Sequence, residues 1–174
     1  METLSLLLVR HGETLENQQH ILQGQLPGTL SPLGKKQAAL LAEKLMDEPL
    51  DAVVCSDLAR SYETACTVAY AHHLEPVQTP LLREMDWGIY TGKALTDVDW
   101  EHLPESVESI RKLYDRAGSF IDFLKKRFPG KRILAVGHGA FNRAILTYLN
   151  GGNPEDMLEM PIMENTEIRR LTVS

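Results

Sequence analysis

The sequence predicts an α/β protein: a three-layer sandwich in which helices flank a mostly parallel central sheet. Two observations carry this expectation. Short apolar runs of strand length alternate with longer segments of helical periodicity, the order that builds parallel sheets. Three of those runs also end alike, in a short turn with charged or imidazole side chains that leads into a helix: "LSLLLVRHGE", "DAVVCSDLAR" and "ILAVGHGAFNR".

Taken in order, Leu4 to Val9 is a continuous apolar run, as in a strand covered on both faces. "SPLGKKQAALLAEKLMD" opens a helix, with Ser31 as N-cap and Pro32 at its first position. Ala38, Leu41, Ala42 and Leu45 form its apolar stripe. Ala52 to Cys55 reads as a second strand, with Ser56 as N-cap of the helix beyond. "PVQTPLL" is a weaker strand, followed by the loop "REMDWGIYTG". The long helix lies in "PESVESIRKLYDRAGSFIDFLKKRF", where Val107, Ile110, Tyr114, Ala117, Ile121, Leu124 and Phe128 make one packed face and Pro129-Gly130 stops it. Ile133 to Val136 is a strand, a helix starts near Ala140, and "EIRRLTV" closes the sheet.

The length, 174 residues, suits one domain over 1–174, with a short cover segment at about 93–115. A net charge of −6 argues against nucleic-acid binding, so any anion site must be a local cluster of cations. Cys55 and Cys66 are too few for a disulfide framework, lack metal-ligand spacing, and read as reduced core residues. No stretch reaches the roughly 20 apolar residues of a membrane span. The start lacks the basic region of a signal peptide, so a soluble cytoplasmic protein is expected.

Ligands of open parallel sheets bind beyond the carboxyl ends of the strands. Here those ends carry Arg10 and His11, then Arg60, then His138, joined by helix N-termini that favour anions. That placement alone describes a phosphate site. A lone histidine is more often a hydrogen-bonded bystander, and a lone arginine a solvated helix residue. Two histidines in "RHG" and "GHG" at strand ends outweigh that reading, and the glycines, Gly139 among them, allow sharp turns and close approach to a ligand. His72 and His73 have no such partners and read as surface residues. A GxxxxGK phosphate loop, an HExxH zinc motif and a GxSxG elbow are all missing.

These residues carry a family resemblance. "LLVRHGET" with Asn17, "LQG" at 22–24, "LSPLGKKQA", "CSDLARSYETA", "LREMDWGIYTG" and "VGHGAFNRAI" follow one another as in the histidine phosphatase superfamily, in the branch that contains the phosphoglycerate mutases. The resemblance implies that His11 is a nucleophile forming a phosphohistidine, and that Arg10, Arg60 and His138 hold the phosphoryl oxygens. Glu84 would protonate the leaving group, and Asn17, Gln23, Gly24 and Gly139 would complete the substrate-binding set. No metal and no cofactor is implied; the partner is a small phosphorylated metabolite, with no nucleic acid or membrane, and oligomeric state is not legible. The chain departs from the family pattern at Gly137 and Ala140, which flank the second histidine.

A phosphatase acting on a small phosphomonoester is the leading expectation. Glu16 precedes Asn17 where mutases resemble one another in carrying tryptophan, and Asp86-Trp87 stands where they favour a histidine-tyrosine pair. The alternatives are a cofactor-dependent phosphoglycerate mutase and, further off, a non-catalytic phosphate-binding protein. Specificity is expected in residues 93–115, among Asp97, Asp99, Trp100, His102 and Arg111.

Overall fold

The computed structural model describes residues 2–174. In chain order the elements are β1 (Leu4–Arg10), α1 (Leu15–Gln18), α2 (Pro32–Lys44), β2 (Ala52–Cys55), α3 (Ala59–Ala71), β3 (Val77–Gln78), α4 (Ile110–Arg127), β4 (Arg132–Gly137), α5 (Gly139–Leu149) and β5 (Ile168–Val173). The strands form one sheet in the order β3-β2-β4-β1-β5. Its first four members are mutually parallel, and β5 runs antiparallel along β1 at the edge.

Period-two alternation divides the strand side chains between two cores. Leu4, Leu6, Leu8, Ile133 and Ala135 face α4 and α5, meeting Phe120, Ile121, Leu124, Phe141 and Ile145. Leu7, Val9, Val53, Leu134 and Val136 face the other way, against Leu41 of α2, Leu45 just beyond its end, and Ala65 and Val68 on α3. Both faces are therefore covered, which is why the strands read as unbroken apolar runs.

The start of α2 is as the sequence indicates: the Ser31 hydroxyl accepts from the Gly34 N–H at 3.0 Å, with Pro32 in the first turn. Other boundaries differ. The long helix begins at Ile110 with Ser109 as its N-cap, not at Pro104. Val107 is still buried, but in the turn that precedes the helix. The weak strand keeps only Val77–Gln78 before a 3-10 turn at Pro80–Leu82, because proline cannot donate to the ladder. Both cysteines are free, but only Cys55 lies in the core; Cys66 is half-buried on α3. Burial pushes the Cys55 thiol up to about 12.

The turn after β1 packs backbone to backbone against the first turn of α2. A Cβ on Gly12 would sit 2.6 Å from the Gly34 carbonyl oxygen, and one on Gly34 would overlap the Glu13 carbonyl. Glycine serves close approach here; Gly12 is not among the residues at positive φ. Gly34→Ala should therefore lower the free energy of unfolding by about 1–3 kcal/mol in a urea titration, since overlap with backbone outweighs the gain in helix propensity. An unchanged midpoint would show that the contact yields without cost.

Candidate active site

Parallel register sets the site. Arg10 pairs with Gly137 across β1 and β4, so the next residue on each strand is a histidine. The rings of His11 and His138 lie 5.2 Å apart between centroids, tilted by 59°. Both are buried. The His11 Nδ1 donates to its neighbour's carbonyl, Gly12 O, at 2.7 Å. A carbonyl can only accept, so Nδ1 holds the ring proton and Nε2 is left with its lone pair. The main chain of His11 is pinned from both sides: its N–H donates to Gly137 O at 3.1 Å, and its carbonyl accepts from Asn165 Nδ2 at 3.0 Å.

His138 pairs through Nε2 with the Ser56 hydroxyl at 2.7 Å. Ser56 therefore does not cap α3 as the sequence suggests; the N-cap is Leu58, with no side-chain bond. The Leu58 N–H also donates to Ser56 Oγ, at 3.3 Å. The His138 Nδ1 is buried without a partner. Asn142 explains Gly137. Its Oδ1 accepts from the His138 N–H at 3.2 Å, its Nδ2 donates to Val9 O at 3.2 Å, and any Cβ on Gly137 would overlap it.

Arg10 comes from the end of β1, and its Nη1 donates to Met163 O at 2.9 Å. Arg60, in the first turn of α3, is only 1% exposed. Its Nη2 donates to Gly24 O at 2.7 Å and its Nη1 to the carbonyls of Leu26 and Pro27, so it clamps the 24–27 turn onto the site. Arg143 lies on α5, one turn beyond Gly139. The Nε atoms of Arg10, Arg60 and Arg143 are all buried without a protein acceptor, and these are the donors available to an anion.

Glu84 faces the three arginines. Its carboxylate accepts from Met85 N at 2.8 Å, Phe141 N at 2.9 Å and Ala140 N at 3.1 Å, the last two being amides at the start of α5. Ala140 therefore contributes a polar contact through its backbone. The loop that carries Glu84 is held by Arg116 of α4, which donates to the carbonyls of Leu81, Arg83 and Glu84 and pairs with Glu108 at 2.9 Å.

Arg10, His11, Asn17, Gln23, Gly24, Arg60, Glu84 and Gly139 all line one cavity of about 230 Å³. His138 does not line it and stands buried against His11. Asn17 also closes the capping box of α1 with Thr14. Of the cover-segment residues singled out in the sequence, Trp100 reaches the wall and Asp97, Asp99, His102 and Arg111 do not; Leu95, not singled out there, also lines it. Among the described residues no group of three His, Cys, Asp or Glu side chains is placed to hold a metal ion. Among the described residues no helix is long and apolar enough to cross a membrane.

Five residues of the site are not legible as such in the sequence. Ser56 reads as a cap, and Asn142, Asn165 and Arg116 reach the site through contacts between distant segments. Arg143 had a usable signal, since it lies four residues after Gly139 on the same helix face.

Burial holds both histidines well below their usual range, with Arg60 adding to the effect; Arg10 lowers both as well, and the two rings are neutral at pH 7. Burial also lowers Arg10 and brings Arg60 down to about 10, which leaves both charged.

A doubly covered parallel sheet with two neutral histidines and buried arginines at its strand ends is the frame of a phosphoryl-handling α/β enzyme. The chain belongs to the histidine phosphatase superfamily (branch 1), whose model matches residues 6–174. It is 34% identical over 162 residues to phosphoserine phosphatase 1 of Hydrogenobacter thermophilus, covering 85% of this chain and 77% of that one. The probable phosphoglycerate mutase GpmB of Yersinia enterocolitica is 30% identical over 166 residues, with 87% and 77% covered. The structure of a mycobacterial glucosyl-3-phosphoglycerate phosphatase superposes with a TM-score of 0.87 at 25% identity, covering 98% of this chain and 90% of its own.

The depressed histidines have a consequence for stability. Between their folded values and the unfolded value of about 6.5 the unfolded chain binds more protons, so stability rises with pH. This contribution is complete above the unfolded value and is lost as pH falls towards the folded one. Urea midpoints measured from pH 7.5 to 5.5 should decline more steeply in the native protein than in the double variant His11→Gln, His138→Gln. Parallel declines would show that other groups are responsible.

Proposed function

We propose that the protein is a metal-independent phosphatase that hydrolyses small phosphomonoesters through a phosphohistidine on His11. The observation that carries this reading is the fixed tautomer of His11, which leaves a neutral Nε2 lined up in a cavity with Arg10, Arg60 and Arg143. In the first half-reaction Nε2 forms a bond to phosphorus as the ester P–O bond breaks. The proton that the leaving alkoxide needs comes from Glu84, at the same cavity wall. In the second, water attacks the phosphohistidine, Glu84 recovers a proton from that water, and inorganic phosphate leaves.

The arginines carry charge that a metal ion would otherwise supply, and their Nε donors are unspent. His138, buried against His11 with Nε2 paired to Ser56 Oγ and Nδ1 unpartnered, is the further group that the family resemblance assigns to the phosphoryl oxygens. Asn17, Gln23, Gly24 and Gly139 shape the substrate side, with the buried Gln23 Oε1 as an unspent acceptor.

The same phosphohistidine serves a mutase, and the likeness to GpmB keeps that reading in view. A mutase must exclude water from the phosphoenzyme and grip a carboxylate while the intermediate turns. The segment from 93 to 109 has a single 3-10 turn at Leu95–Asp97, and Lys93 is its one lysine or arginine. That favours hydrolysis.

Brief reaction with a labelled phosphomonoester should leave acid-labile, base-stable label on His11, and His11→Ala should abolish both label and turnover. Interconversion of 3- and 2-phosphoglycerate, with bisphosphoglycerate present, should run slower than phosphate release; the reverse order would make the protein a mutase. Glu84→Gln should slow alkyl phosphates by roughly 10²–10⁴-fold but a nitrophenyl ester far less, because nitrophenolate scarcely needs a proton. Equal losses on both would remove Glu84 from the role of acid.

A further inference from the structure

Beside the phosphate cavity lies a second one of about 370 Å³, within the usual size range of small-molecule sites. The two share Trp87, Trp100, Ala140 and Arg143 as a common wall. Beyond that wall the second cavity is bounded by Met85, Leu103, Ile110, Leu113, Met157 and Leu158, and Arg143 is its one charged group.

Its position relative to the chemistry is specific. Met85 and Ala140 both line it, and their N–H groups are two of the three that hold the Glu84 carboxylate. Glu84 is the group assigned to protonate the departing oxygen. The alcohol half of a substrate attacked from the His11 side is therefore released at the opening of this apolar annex. Trp87 and Trp100 meet edge to face at 5.6 Å and 84° at that opening. At the outer rim Trp100, Leu103 and Leu158 remain 52%, 42% and 64% exposed, a concentration of large apolar groups that solvent alone does not favour.

We propose that the natural substrate is a phosphomonoester whose alcohol half is an aromatic or compact apolar body, seated in this annex, rather than a glycerate or an amino acid. The proposal rests on the phosphatase reading above. An amino or carboxylate group placed among Met85, Leu113 and Met157 would lose its water and find no partner there but Arg143. An apolar ring loses nothing and gains the contacts.

A series of primary esters tests this with leaving groups of nearly equal acidity: ethyl, butyl, 2-phenylethyl and 2-(naphthyl)ethyl phosphate, with O-phosphoserine as the polar comparator. From ethyl to 2-phenylethyl phosphate kcat/KM should rise by about 10- to 100-fold, mostly through KM. Leu103→Asp and Leu158→Asp, both at exposed positions that leave the fold intact, should bring that ratio down towards one; circular dichroism checks the fold. A flat series, or O-phosphoserine ahead of the aryl esters, overturns the proposal while leaving the phosphatase standing. Absence of phosphate release from every ester, with no label on His11, overturns both.

Discussion

One register decides where this protein can do chemistry. β1 and β4 lie side by side and parallel, with Arg10 opposite Gly137, and each strand yields its histidine at the next residue. Because both faces of β1 are apolar and covered, hydrophobicity alone does not choose this register. Side chains from elsewhere stitch the strand ends in place. Asn142 bridges Val9 O and the His138 N–H, Asn165 holds His11 O, and Ser61 Oγ donates to Val136 O at 2.7 Å.

Within an acidic protein, the site concentrates positive charge by burying it. Taking an arginine out of water is costly unless its donors are met, and Arg60 meets three carbonyls of one turn. The same bonds order that turn, so Gly24 and the preceding Gln23 reach the cavity because Arg60 is buried. Glu84 stands at the other side of the cavity, its carboxyl oxygens accepting from amides of the loop and of the start of α5. Phosphate and carboxylate would thus sit on opposite sides of a narrow space, each with its own fixed donors.

The two halves of the site are built differently. Strand ends and helix starts form the phosphate half, and both are anchored in the doubly covered core. Loops and half-exposed side chains form the other half: Trp87, Trp100, Leu103 and Leu158 belong to connections or a 3-10 turn rather than to the sheet or the longer helices. Such segments tolerate change more readily than the core does, so the phosphoryl chemistry and the choice of alcohol can vary independently.

The sequence by itself determined the layered α/β architecture, because burial on both faces demands apolar strands and their alternation with amphipathic helices is written in the residues. It also marked Arg10, His11, Arg60 and His138 as residues that would meet, since they stand at or just beyond strand ends that parallel pairing must bring together. It overran the start of α4 by several residues, where turn and helix share one apolar spacing, and it placed Ser56 as a cap because a serine after a strand has that local use. What only the tertiary structure decided is everything that depends on contacts across the chain. The His11 tautomer rests on a carbonyl orientation, Ser56 is turned towards a histidine 82 residues away, and Gly137 is small because Asn142 fills its space. The apolar annex is also invisible in sequence, because its walls come from four separate segments whose residues, read locally, are ordinary core or loop.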